Sequence, residues 1–140
     1  MFLTLLNKNL KQPFLSLAIK ASESDAAFDD VQHELITSFA KELGIEPFYN
    51  CERSEAEVIS QIVNFASKTE KQIILFEIIG ILYSDNLLQE AESDFLCRVS
   101  SGFNIDLPLA NEMINLVADY KHLYIDICKK VLEESDSLEQ

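Results

Sequence analysis

Asp85 and Glu92 are the residues whose type and spacing most invite chemistry. At about 100° per helical residue, Glu92 falls inside an apolar arc built from Leu88, Phe95, Val99 and Phe103. A carboxylate turned toward oil costs several kcal/mol unless it is paired, protonated or bound to a cation. Asp85 stands seven residues earlier, at the corner that precedes the helix. Two carboxylates aimed at one gap hold a hard divalent cation, calcium or magnesium. The same two groups can instead accept backbone N–H groups and fix the corner's shape. Both readings stand at this stage. Asp25 is the counterpart in the first half, with Gln32 in the place of Glu92, which makes that half the weaker cation site. Glu77 is the sole charge between Ile73 and Tyr83. It is expected to pair with Arg98 or a lysine, to join Glu92, or to reach solvent through a gap.

Other chemistries find less support. Asp30 to His33 and Asp119 to His122 both read Asp-x-x-His, a spacing used by di-iron bundles. Those sites use inward-facing glutamates, whereas both pairs here lie off the apolar arc, on faces expected to be solvated. No serine, cysteine and histidine constellation marks a nucleophile, and no glycine-rich phosphate loop occurs. The expectation is a non-enzymatic protein, with a metal-dependent enzyme as the least supported alternative. Cys51, Cys97 and Cys128 are scattered, without zinc-ligand spacing or a disulfide framework. Cys97 sits beside Phe95, Leu96 and Val99 and reads as a buried thiol, and a reducing cytoplasm suits all three.

The elements that must position these groups are helices. Three glycines and three prolines in 140 residues are too few for the turns of an all-β chain. Pro13 fits a first helical turn, with the helix running to Ala21. A second spans about 28–43 and ends at Gly44, a left-handed cap. Ser54 and Glu57 form a capping box for a helix to Phe65, and Thr69 with Gln72 repeats the signal for a helix to Tyr83. That last helix is apolar on nearly all sides and belongs at the centre. A helix over about 89–100, closed by Gly102, precedes one from Leu109 to Val131, kinked near Tyr120, and residues 132–140 form a frayed acidic tail. The expected fold is an all-α compact bundle of about five to seven helices in one domain.

Shifted by 60 residues, the chain meets itself: Ser24-Asp25 on Ser84-Asp85, Leu43 on Phe103, Ile45 on Ile105. Past that loop the shift becomes 54, and Ala56, Ile59, Ile62 and Val63 meet Ala110, Met113, Leu116 and Val117. The pattern reads as two halves, 14–66 and 69–131, around a pseudo-two-fold core.

Charge narrows the partners. Eleven basic residues face 24 acidic ones, for a net −13. Residues 1–22 hold Lys8, Lys11 and Lys20 and no acid, so the remaining eight bases and 24 acids give the rest of the chain −16. Such a surface repels phosphate backbones, so nucleic acid is not an expected partner, and cations or basic protein surfaces are. The run from Ile73 to Tyr83 is too short to span a membrane, which takes ~20 residues, and the N-terminus lacks a secretory signal's pattern. No membrane insertion is expected. Phe2, Leu3, Leu5 and Leu6 would form a docking or homodimer patch if they do not fold back.

The stretch from Leu75 to Leu96, with its apolar helix, Ser84-Asp85-Asn86 corner and glutamate seven residues after the aspartate, resembles the TerB-like domain of tellurite-resistance and related bacterial proteins. Asp85 and Glu92 match that pattern's two acids, while Ser84 and Asn86 replace its alanine and glycine. The resemblance is good over about 70–105. It implies an all-helical, pseudo-symmetric fold, a divalent cation at the two acids and an accessory role in bacterial stress or phage-defence systems. An adaptor that docks a protein through its acidic face or apolar N-terminal segment is the alternative.

Overall fold

Serine writes two of the helix starts. In the computed structural model, which describes residues 1–24, 30–83 and 90–132, Ser54 opens α3 (Glu55–Phe65) with a complete capping box. Its Oγ accepts the Glu57 N–H, and the Glu57 carboxylate accepts the Ser54 N–H. The second box is Ser67 with Glu70, not Thr69 with Gln72, so α4 (Lys68–Leu82) begins one residue before Thr69. Both pairs fit the pattern. The upstream one prevails because Glu70 also accepts the Asn7 N–H at 2.8 Å, a tertiary contact that Gln72 does not make.

Two helix ends match at a spacing of 60 residues. α2 (Asp30–Leu43) closes on Gly44 at φ +73°, with the Gly44 N–H on Lys41 O and the Ile45 N–H on Ala40 O. α5 (Glu90–Gly102) closes on Asn104 at φ +57°, with the Asn104 N–H on Ser101 O and the Ile105 N–H on Ser100 O. These are the same Schellman bonds at a spacing of 60 residues. Asparagine tolerates the left-handed conformation, and so Asn104, rather than the expected Gly102, is the counterpart of Gly44. Gly102 serves contact instead: a Cβ there would stand 2.6 Å from Ile59 Cγ2 on α3.

α1 (Lys11–Glu23) packs against α2, α3 and α4, and α4 packs against α1, α5 and α6 (Leu107–Leu132). Each half thus lays two helices on a central one, and the two central helices meet. Phe14, Leu15, Leu17, Ala18 and Ile19 of α1 are as fully buried as Ile74, Leu75, Ile78 and Ile79 of α4, so the centre is shared between them. Among the described residues there are six α-helices and no strand. α6 runs without a break through Tyr120, where a kink was expected.

The N-terminal segment folds back. Two 3₁₀ turns, Leu3–Leu5 and Lys8–Leu10, bury Leu3, Leu6 and Leu10, leaving Phe2 and Leu5 exposed, and Phe2 stacks edge-on against Phe76. The expected N-terminal docking patch is therefore largely spent inside the fold. Cys97 is exposed on α5 and Cys128 is the buried thiol, the reverse of the expectation for Cys97. One helical step past Leu96 carries Cys97 off the face that α4 covers.

Candidate functional site

Glu92 is buried, at 4% exposure, on the face of α5 that carries Phe95, Leu96 and Val99. Asp85, the other half of the proposed cation pair, and Asp25 both lie outside the described residues. Glu77 is 9% exposed, and its Oε1 accepts both the Met1 ammonium and the Phe2 N–H at 2.8 Å. Arg98, expected as its partner, makes a two-pronged ion pair with Glu55 at 2.6 and 3.0 Å and so ties α5 to the start of α3. No group of three or more histidine, cysteine, aspartate or glutamate side chains gathers among the described residues. They bring a single carboxylate, Glu92, to the proposed position and do not by themselves assemble a cation site.

Two acids missed as a pair turn out to work together. Glu70 and Glu77 stand two turns apart on one face of α4, and the first seven residues are fastened between them. Burial alone would raise the Glu70 pKa, but the N–H groups of Ser67 and Asn7 outweigh it and hold the carboxyl below its ordinary value. The i, i+7 spacing was visible in sequence. Which backbone donors would meet it was not.

His33 and His122 are exposed, as their arcs suggested. His33 stacks flat on Tyr49, whose hydroxyl bonds Thr37, a role in holding the 45–53 loop against α2.

Beside the N-terminal clamp lies an open groove of about 480 Å³, walled by Phe39 of α2, Phe76, Gly80 and Ile81 of α4, and Val117 and Tyr120 of α6. Its charged groups are engaged: Glu77 by the N-terminus, and Lys121 by the carbonyls of Gly80 (2.9 Å) and Tyr83. What remains is apolar wall. The groove opens onto the exposed side of α6, where Leu116, Tyr120, Leu123, Tyr124, Ile127 and Val131 are 49–70% exposed. The apolar periodicity of these residues is legible in the sequence; that they would lie outside the bundle is not. The stripe offers apolar area, with the hydroxyls of Tyr120 and Tyr124 as its polar groups. No helix among the described residues is long and apolar enough to cross a membrane.

No family model matches the chain, and neither a curated protein nor a solved structure does.

Proposed function

We propose that this chain is a non-enzymatic interaction protein that docks through the exposed apolar side of α6. The observation that carries the reading is the run of six large apolar side chains over four turns of that helix, each at least half exposed or nearly so. Together they offer on the order of 600 Å² of apolar surface, the upper end of what a typical monomer leaves open in one patch. The test places a photo-crosslinking amino acid at Leu123, and in a control at the exposed Asn115 on the polar side, in cells making the protein. Covalent protein adducts from position 123 and none from 115 are expected. Absence of adducts from 123 overturns the reading.

The resemblance of 75–96 to TerB-like domains supports a finer version, an accessory protein of a bacterial stress or tellurite-resistance system working in the cytoplasm. A second reading, divalent cation binding at Asp85 and Glu92, is favoured by the burial of Glu92. Calorimetric titration with calcium and magnesium should give heat for the wild type and none for Asp85→Ala/Glu92→Ala. A silent wild type removes this reading and leaves the docking face untouched.

A further inference from the structure

The width of the apolar arc on α6 is the starting point. Taking Val117 as zero at about 100° per residue, Met113, Ile114, Val117, Lys121, Ile125 and Cys128 cluster within roughly 70° of the direction that faces the bundle. The six exposed residues fall in a neighbouring sector about 100° wide, centred roughly 90° from that direction. Charged and amide side chains, with Ala118 and His122, fill most of the remainder. α6 therefore carries two apolar faces, and its own bundle uses one.

The second face is its own mirror in sequence. Leu116 and Val131, Tyr120 and Ile127, and Leu123 and Tyr124 are each placed symmetrically about the midpoint between 123 and 124. That is the condition for an isologous contact, in which residue i of one copy meets j of the other and j meets i. We infer that two copies of this chain pair through α6, antiparallel, on a two-fold axis passing between Leu123 and Tyr124. This rests on the docking reading above and names its partner.

Three features favour this occupant and this orientation. First, antiparallel pairing sets each tyrosine opposite an aliphatic side chain, Tyr120 on Ile127 and Tyr124 on Leu123 of the second copy. Parallel pairing would press Tyr120 on Tyr120 and Tyr124 on Tyr124, leaving gaps beside the smaller residues. Second, Asp119 and Lys130 lie on the same outer flank of the stripe. About the same axis they come within about 3 Å of level across the pair, at a rise of ~1.5 Å per residue, so opposite charges border the apolar seam. Third, the six side chains offer roughly 100 Å² apiece, on the order of 600 Å² per copy, and the charged border brings this near the ~800 Å² per partner of a stable complex. The bundle grips α6 through Met113, Val117 and Lys121, and the direction that faces it lies roughly 90° from the stripe, so the bundle of each copy does not stand over its own seam.

Each copy carries −13, so the copies repel at a distance. Salt screens that repulsion, and an apolar seam between like-charged bodies tightens as salt is added. A basic protein on the same face would be loosened by salt, which separates the two occupants.

The experiment is light scattering on the full chain at about 100 µM, at low and at high salt. A mass twice 15.9 kDa, favoured by salt, is expected. Leu116→Asp/Leu123→Asp should return the mass to 15.9 kDa with helical circular dichroism unchanged and, at dilutions where both proteins are single chains, the same melting temperature, since both positions are exposed. Orientation is read by cross-linking in a background lacking Cys51, Cys97 and Cys128: mixed Tyr120→Cys and Ile127→Cys copies should form a disulfide dimer that neither forms alone. A monomer at every salt, or a dimer that the double aspartate variant leaves intact, overturns the proposal. A monomer whose Leu123 photo-adducts are to other proteins overturns the second copy while the docking reading stands. A monomer without adducts overturns both.

Discussion

α3 and α6 are counterparts in the two halves, yet one has 11 residues and the other 26. At the shift of 54, the residues that follow α3, Ala66 and Ser67, meet Tyr120 and Lys121. In the first half the chain turns there, because Ser67 caps the next helix. In the second half α6 passes through that position and continues for three more turns, to Leu132. Those turns carry Tyr120, Leu123, Tyr124, Ile127 and Val131. The extension needed only polar residues if it were to end in water. It is instead apolar on a side that the bundle leaves exposed, which is what supports the docking reading. The pair Ser67 and Lys121 also divides the labour on α4: the serine caps its N-terminus, and the lysine donates to its last carbonyls.

The contrast can be broken most severely at α3. Ile62→Ala, at a fully buried position, should cost about 2–5 kcal/mol in urea unfolding. Leu123→Ala on α6, followed in dilute solution where the chain is single, should stay within about 0.5 kcal/mol. A large loss from Leu123→Ala would mean that the stripe is packed within one chain. Packing tightness gives the next test. Gly102→Ala drives a methyl into Ile59 and should cost about 1–3 kcal/mol. Gly80→Ala, in the groove beneath α6 with nothing within 4 Å of the new Cβ, should gain about 0.5–1 kcal/mol from helix propensity. Equal effects at the two glycines would erase the distinction between a closed α3 face and an open α6 face.

Smaller still is Lys121→Met, which keeps the stem and removes the ammonium from the Gly80 and Tyr83 carbonyls. About 1 kcal/mol should be lost, read as a lower melting temperature with unchanged helicity. The smallest effect is that of pH through Glu70. Its folded pKa lies below its unfolded one, so its contribution is fully present above the unfolded value and is lost as pH falls through the folded one. The stability difference between wild type and Glu70→Gln should therefore be constant near neutrality and shrink on acidification below the ordinary glutamate range. A difference that grew on acidification would contradict the Asn7 and Ser67 bonds.

Much of the architecture was legible in the chain itself. The capping box at Ser54, the left-handed Gly44 and the 60-residue echo are local signals, and local hydrogen bonds and steric limits act over a few residues. The burial of Glu92 followed from helical periodicity alone, whereas Asp85 and Asp25 lie outside the described residues. The misreadings share a cause. Thr69, Gly102 and Cys97 each had a neighbour equally suited by pattern, and contacts from distant segments chose between them: Asn7 for Ser67 over Thr69, Ile59 for Gly102, and the side of α5 that the core left open for Cys97.

The amino-acid sequence by itself determined the six amphipathic or apolar helices and the caps at Ser54 and Gly44, because turn chemistry and periodicity are properties of short stretches. Tertiary structure alone decided that Leu3, Leu6 and Leu10 would be buried and Leu116, Leu123, Tyr120 and Tyr124 of α6 left bare. Both stretches are apolar, and only the shape of the assembled bundle determines how much of each it has room to cover.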